Sequence, residues 1–281
     1  MNDNTIVKKT VLAENVTRFD VYAPHIAAKH RAGEFVIVRC CENGERIPLT
    51  IADSHSDAGT ITMISQTVGC TTRQLATVPQ GEALLDIAGP LGTPTHIENF
   101  GTVVCVGGGI GVAPLHPITK AMHHAGNRII SVLGARSKDL FILKHDMAAL
   151  SDELILTTDD GSEGRQGFVT DALQELIDNG ESIDLVVTIG PAIMMENIAG
   201  VTRPHAIPTV ASLNTIMIDG TGMCGGCRVK LHDGMKFACV DGPEFDGHQV
   251  DFKELSQRQN AYKEDYCRLD RKVEELEAEE A

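Results

Sequence analysis

Three cysteines and an aspartate share one glycine-rich stretch, DGTGMCGGCRVKLHDGMKFAC, and side chains of these types can hold a metal cluster. Four residues separate Asp219 from Cys224, two separate Cys224 from Cys227, and eleven separate Cys227 from Cys239. Plant-type two-iron loops space their ligands as Cys, four residues, Cys, two residues, Cys, then a distant Cys. Asp219 takes the first of these positions. Gly220, Gly222, Gly225 and Gly226 permit the turns needed to aim several side chains at one small cluster. Backbone N–H groups freed by those turns can donate to sulfur and tune a potential. A carboxylate is a harder ligand than a thiolate, but it carries the charge that ferric iron requires. The reading is a [2Fe–2S] site on Asp219, Cys224, Cys227 and Cys239. The alternatives are a zinc site completed by His232 or His248, thiols that bind nothing, and Cys267 as a distant substitute for the aspartate.

Two segments upstream have the chemistry of flavin contacts. In ERIPLTIAD, Arg46 offers a guanidinium to phosphate. Beyond Pro48 and Leu49, the Thr50 hydroxyl can reach a flavin ring nitrogen. In ISQTVGCTTRQL, opened by Ile64 and Ser65, Gly69 with Thr71 and Thr72 starts a helix whose N-terminal amides can face a pyrophosphate. A proline-containing strand and a capped helix would account for the same residues without a ligand.

A third group suits a nucleotide. GGGIGVAP follows a buried strand and precedes a helix; Gly107, Gly108, Gly109 and Gly111 let backbone approach a phosphate, and Pro114 suits a first helical turn. It is not the GxGxxG fingerprint. DDGSEGRQGFVTDAL and IGPAIMM fall at the ends of further strands, so Asp160, Gly161, Gly190 and Met194 are expected beside a nicotinamide at the carboxyl edge of one sheet. Arg136 and Lys138 in GARSKD suit a 2′-phosphate or plain solvent equally.

Positioning these groups requires two kinds of domain. Residues 6–11, 16–23, 34–39, 60–65 and 83–87 are β-branched runs between Gly, Pro, Asn and Asp clusters, which predicts an antiparallel barrel over 1–98. From 99 to 207 the pattern becomes α/β. Apolar runs at 102–106, 129–134, 154–157 and 184–190 alternate with helical stretches at 113–124, 139–150 and 169–178, which predicts a parallel sheet with crossover helices. Residues 208–250 form a cysteine- and glycine-rich unit too small to hold itself without a metal. The charged tail, 251–281, carries Leu255, Tyr262, Tyr266, Leu269, Val273 and Leu276 at near-heptad steps, predicting one amphipathic helix.

Composition narrows the partners. The 281-residue chain has 42% hydrophobic residues and a net charge of −15, which disfavours nucleic acid and anionic membrane. Its N-terminus lacks an apolar core with a cleavage site, and no run approaches the roughly 20 apolar residues of a membrane span, so a cytoplasmic location is expected.

Taken in order, RIPLT, VGCTT, GGGIGVAP, TDDGSEGRQGFVTD, IGPAIMM and the DGTGMCGGC loop resemble the ferredoxin–NADP reductase-like superfamily, in particular its electron-transfer subunits with FAD and [2Fe–2S]. Dihydroorotate dehydrogenase electron-transfer subunits usually have cysteine where this chain has Asp219, and usually end soon after the cluster. With its aspartate and its extension GHQVDFKELSQRQNAY, the chain is more similar to the small subunit of NADH-dependent reduced ferredoxin–NADP oxidoreductase, also known as a sulfide dehydrogenase subunit. That resemblance implies an FAD barrel, an NAD(H) domain with NAD rather than NADP as substrate, and a cluster domain. It also implies a larger partner, similar to the glutamate synthase small subunit, with a second FAD and [4Fe–4S] clusters, and flavin-based electron bifurcation among NAD(H), NADP(H) and ferredoxin. A non-catalytic nucleotide-binding module with a structural zinc is the reading from a different class.

Overall fold

The computed structural model describes residues 2–42 and 44–262. The first domain contains β1 (Ile6–Ala13), β2 (Val16–Tyr22), α1 (Pro24–Ala27), β3 (Phe35–Arg39), β4 (Arg46–His55), β5 (Thr60–Gln66), α2 (Cys70–Thr77) and β6 (Asp86–Leu91). Its six strands run antiparallel in the order β1-β2-β5-β4-β3-β6. The two ends of that order meet through a single bridge, Thr5 with Ala83, so the expected barrel is linked there without a full ladder among the described residues.

Strand β3 is apolar on both faces, and the period-two alternation of a strand explains how it is used. Val36 and Val38 point into the first domain's own core with Phe19, Ile51, Ile61 and Met63. Phe35 and Ile37 point the other way, into a second core with Met217, Cys227, Cys239 and Phe245. Phe35 and Ile37 are 3% and 1% exposed, and burying such side chains stabilises by about 1.5–3 kcal/mol each.

The second domain contains β7 (Thr102–Gly108), α3 (Val112–His124), β8 (Arg128–Ala135), α4 (Lys144–Leu150), β9 (Glu153–Thr158), β10 (Arg165–Gln166), α5 (Val169–Asp178), β11 (Leu185–Ile189) and α6 (Ala192–Thr202). After it come β12 (Thr209–Ser212), β13 (Arg228–Leu231), β14 (Gly234–Phe237), β15 (Glu244–Asp246) and α7 (Phe252–Gln259). One sheet runs β10-β9-β8-β7-β11-β12-β15, parallel except where β15 opposes β12. The strand order reverses at β7, which lies between β8 and β11, and such a switch point opens a crevice at the carboxyl ends of the strands. Among the described residues no helix is long and apolar enough to cross a membrane.

The structure departs from the sequence expectations at several places. The run expected at 83–87 becomes a strand only at Asp86–Leu91, after residues 81–84 have hydrogen-bonded to the start of the chain. The helix expected over 139–150 is confined to Lys144–Leu150; Leu143 sits at φ +52° and separates it from a 3₁₀ turn at Lys138–Leu140. Helix α6, which starts inside GPAIMM, was not anticipated. The segment from 208 is not detached: β12 and β15 extend the nucleotide-domain sheet, and only the β13–β14 hairpin and the cysteine loop stand outside it. The tail is helical at Phe252–Gln259, and residues 263–281 lie outside the described residues.

The three parts are fastened at a buried junction. Thr93 donates its amide to the Gly242 carbonyl (2.6 Å) and its hydroxyl to the Val240 carbonyl (3.0 Å), while the Thr95 amide reaches Ala32. The Thr95 hydroxyl donates to Oε1 of Glu244 at 2.6 Å. Burial pushes the Glu244 carboxyl up to about 7, against the opposing Thr95 hydrogen bond.

Two predictions follow from packing. Because Glu244 binds its proton more tightly folded than unfolded, its contribution to stability is complete below about pH 4.5 and is lost as pH rises to about 7. Glu244→Gln should flatten that decline and stabilise the protein above pH 7 by on the order of 3 kcal/mol, read from denaturant unfolding at several pH values. A variant less stable than the parent at pH 8 would contradict the assignment. At Gly111 a Cβ would lie 2.3 Å from the Ile189 carbonyl oxygen, whereas at Gly109 it would meet nothing within 4 Å. Gly111→Ala should therefore lower the unfolding midpoint through overpacking worth about 1–3 kcal/mol or more. Gly109→Ala should cost only the strain of its φ of +55°, about 1–2 kcal/mol.

Candidate functional site

The cluster loop joins β12 to β13 and lies against β3 and β6 of the first domain. A Cβ on Gly220 would lie 2.8 Å from Ile37 Cγ1 and 2.8 Å from Leu91 Cδ1, so only glycine allows this approach, and its φ of +79° has the same requirement. From the other side, Arg258 of α7 donates to the Gly226 carbonyl at 2.9 Å.

Among the described residues no three His, Cys, Asp or Glu side chains converge as a ready metal site. The four candidates instead stand as neighbouring pairs. Cys227 and Cys239 Sγ are 3.1 Å apart and buried, and Cys224 lies beside Asp219. Three features nevertheless fit an iron–sulfur cluster. Each sulfur accepts a backbone N–H: Cys224 from Gly226 (3.4 Å), Cys227 from Cys239 (3.4 Å), and Cys239 from Gly222. Asp219 is fixed through Oδ2, which accepts from the Thr221 hydroxyl (2.7 Å), the Thr221 amide (3.2 Å) and the Met223 amide (3.0 Å). Its Oδ1 is buried without a hydrogen-bond partner. Cys224 and Thr221 hold this carboxyl well below the usual carboxylate range. Burial and the adjacent Cys227 push the Cys239 thiol up to about 12. Neither zinc-completing histidine joins them: His248 Nε2 faces the Thr202 hydroxyl at 2.9 Å, and His232 sits exposed in the β13–β14 turn. Cys267 lies outside the described residues.

Strand β4 carries the residues expected to meet a flavin. Alternation puts Arg46, Pro48 and Thr50 on one face, while Ile47 and Leu49 pack against the first-domain core. Thr50 pairs with Phe35 and is half-buried. On the next strand Ile64 is buried, and Ser65 has a buried hydroxyl with no hydrogen-bond partner, a group a ligand would satisfy. Helix α2 begins as expected, with Gly69 as N-cap and the Thr72 hydroxyl accepting from the Val68 and Gly69 amides at 3.0 Å each. Thr71 is buried and donates to Glu45 at 2.8 Å. Arg46 makes contacts within the protein that the sequence did not show. Its Nη1 pairs with Asp86 (3.1 Å) and its Nε donates to the Ile218 carbonyl (3.0 Å), so the guanidinium is turned toward the cluster loop.

The nucleotide residues gather at the carboxyl edge of the parallel sheet. Gly107 and Gly108 end β7 alongside Ile189 of β11, with Gly190 immediately beyond. Met194 of α6 lies over both glycines: a Cβ would meet its Sδ at 2.5 Å from Gly108 and its Cε at 2.6 Å from Gly190. Gly109 is exposed with open space around it, and Pro114 occupies the first turn of α3. Asp160 and Gly161 follow β9; the Asp160 carboxylate accepts from the Ser162 amide at 2.9 Å, and Ser162 holds it below the ordinary carboxylate range. Arg136 and Lys138 flank the same loop, Lys138 donating its amide to the Ser162 hydroxyl.

The two ligand faces share β4. Beyond Thr50, the strand packs on α3: the Ala52 carbonyl is 3.1 Å from His116 Nδ1, and Asp53 pairs with Lys120 at 3.0 Å. These links, like Asp86 and Ile218 around Arg46, carried no motif and were missed by sequence reasoning.

Comparison with known proteins agrees with this geometry. Residues 214–251 match the model of the iron–sulfur cluster binding domain of dihydroorotate dehydrogenase B, and residues 105–200 match that of the oxidoreductase NAD-binding domain. The chain is 48% identical over 261 residues to a dihydroorotate dehydrogenase B (NAD(+)) electron transfer subunit homolog of Thermotoga maritima, covering 93% of this chain and 92% of that one. It is 31% identical to the dihydroorotate dehydrogenase B (NAD(+)) electron transfer subunit of Bacillus cereus, covering 85% and 94%. A solved structure of NADH-dependent reduced ferredoxin-NADP oxidoreductase, reported for insights into flavin-based electron bifurcation, superposes with a TM-score of 0.90 at 46% identity, covering 94% and 95%. Phthalate dioxygenase reductase, at 14% identity and TM-score 0.60 over 81% and 85%, shares the fold. The chain belongs to the family of dihydroorotate dehydrogenase B electron-transfer subunits, built on the ferredoxin–NADP reductase fold.

Proposed function

We propose that this chain is the electron-transfer subunit of a flavin-based electron-bifurcating oxidoreductase. In this reading it exchanges hydride between NAD(H) and FAD and passes single electrons through a [2Fe–2S] cluster. The receiving partner is a larger flavin and [4Fe–4S] subunit that meets ferredoxin and NADP(H). One observation carries the reading: strand β4 presents the flavin-side residues between a nucleotide edge at one end and the cysteine loop at the other. We assign residues 1–98 to flavin, 99–207 to nucleotide, 208–250 to the cluster, and 251–281 to the C-terminal extension.

FAD, when bound, supplies the exchange between a two-electron hydride and single electrons, and the protein orients and tunes it. Pro48, Leu49, Thr50, Ile64 and Ser65 would hold its ring side, and Gly69, Thr71 and Thr72 its phosphate side at the start of α2. Gly107–Gly109, Gly111 and Pro114 would receive the NAD(H) phosphates, with Asp160, Gly161, Gly190 and Met194 around the bound nucleotide. Asp219, Cys224, Cys227 and Cys239 would hold the cluster, and the N–H donors to sulfur would set its potential. No side-chain nucleophile is needed: NADH gives up a hydride, two electrons leave singly through the cluster, and the one proton that remains is released to solvent.

A second reading, electron transfer to a dihydroorotate dehydrogenase, is favoured by the family model over 214–251 and by the Bacillus cereus relative. The full-length alignment at TM-score 0.90, together with Asp219 in the first ligand position, favours the first. Purification with the native partner separates them: oxidation of dihydroorotate supports the second reading, and NADH-dependent exchange between NADP(H) and ferredoxin supports the first.

Two substitutions test the residue roles. Thr50→Val should retain FAD but slow its reduction by NADH by an order of magnitude or so, measured anaerobically by rapid mixing; an unchanged rate removes Thr50 from the reaction. Asp219→Ala should change the electron paramagnetic resonance spectrum of the reduced cluster and lower its iron and sulfide content. A spectrum and potential identical to the parent's would show that Asp219 is not a ligand.

A further inference from the structure

We propose that Arg46 is a positioning residue for the cluster: it ties the flavin strand to the loop that carries Asp219 and places a fixed positive charge beside it. This rests on the cluster assignment above and adds to it a role that the sequence had given to phosphate binding.

The guanidinium is held from two sides. Nη1 pairs with Asp86 of β6 at 3.1 Å, and Nε donates to the carbonyl of Ile218 at 3.0 Å. Ile218 directly precedes Asp219, so this hydrogen bond fixes the peptide that joins the carboxylate ligand to the strand β4 surface. The flanking residues are fixed by contact as well. Met217 is buried in the core that Phe35 and Ile37 enter, and Gly220 is pressed against Ile37 and Leu91. The chain from Met217 to Gly220 is thus seated on β3, β4 and β6, with Arg46 as its polar fastening.

Stability does not explain the arrangement. The Arg46 and Asp86 side chains are 33% and 50% exposed, and ion pairs in such positions contribute about 0–1 kcal/mol. What the pair does provide is direction: the planar fork reaches a carboxylate and a carbonyl at once, which a lysine cannot reproduce. It also provides charge. A cluster gains one negative charge on reduction, and a nearby cation favours that state, raising the potential.

The test uses the full-length protein, prepared anaerobically, with Arg46→Gln, Arg46→Lys and Asp86→Asn. Three readouts are compared: FAD, iron and sulfide content; cluster midpoint potential with its paramagnetic resonance spectrum; and amide hydrogen exchange across residues 214–223. Arg46→Gln should keep its FAD and iron, show a more negative cluster potential, and exchange several-fold faster in that segment. Arg46→Lys should return the potential toward that of the parent while exchange stays raised, because charge is restored and the fork is not. Asp86→Asn, which keeps the guanidinium and removes the negative charge paired with it, should speed exchange in that segment by less and move the potential the other way, to less negative values, and serves if Arg46→Gln does not fold. Loss of FAD from Arg46→Gln with an unchanged cluster potential and unchanged exchange would overturn the proposal in favour of a phosphate anchor. Parental values in all readouts would overturn it outright. A parent protein without iron and sulfide would sink the cluster assignment instead, and the exchange readout would still report whether Arg46 fastens the loop.

Discussion

The constraint on which the structure depends is that strand β3 belongs to two cores at once. Val36 and Val38 close the flavin domain, while Phe35 and Ile37 close the core that contains Cys227 and Cys239. A strand has only two faces, and here neither is left for solvent. Separating the cysteine loop from the flavin domain would expose Phe35, Ile37 and Met217 to water, at a cost of several kcal/mol by the usual area scaling (about 25 cal/mol per Å²). The small cluster unit therefore does not depend on its own core for its position.

Strand β4, hydrogen-bonded to β3, carries that constraint from the cysteine loop to the nucleotide domain. Arg46 at its start is bonded beside Asp219, Thr50 lies midway, and Ala52 and Asp53 contact α3 of the nucleotide domain. From Arg46 to Ala52 is about 20 Å at the usual strand rise. In the proposed function, the residues assigned to flavin are thus held at fixed register between the nucleotide edge and the cysteine loop. Register errors are suppressed because a one-residue slip would move Ile47 and Leu49 out of the core. The junction of Thr93, Thr95 and Glu244 adds hydrogen bonds to the same arrangement, fastening the interdomain linker to the segment that follows Cys239.

Much of this was legible in the sequence because its chemistry is local. The CxxC spacing with Asp219 five residues upstream, the glycines at and after the end of β7, and the Gly69 and Thr72 cap each lie within one short stretch, and the structure places them in one loop, one sheet edge and one helix start. Features set by partners distant in sequence were not legible. The contacts of Arg46 are an instance: nothing near it in sequence shows that its guanidinium would meet Asp86 and Ile218, 40 and 172 residues away. The double-sided burial of FVIVR was visible as an unbroken apolar run, but not which core each side would meet. Helix α6 was missed because IGPAIMMENIAGVT is apolar through much of its length and gives little helical periodicity, and the helix over 139–150 was overextended across Leu143, whose left-handed φ breaks it. Segment 208–250 reads as separate by composition, yet β12 and β15 join it to the sheet through long-range pairing.

The account's central claim is that one chain converts a hydride pair into single electrons, and anaerobic rapid mixing of the purified protein with NADH tests it most directly. The predicted result is a preparation containing FAD with iron and inorganic sulfide in equal amounts, in which flavin reduction is followed by the paramagnetic signal of a reduced two-iron cluster. A preparation that contains zinc in place of iron and sulfide, or one in which NADH reduces the flavin while an intact cluster never accepts an electron, would contradict it.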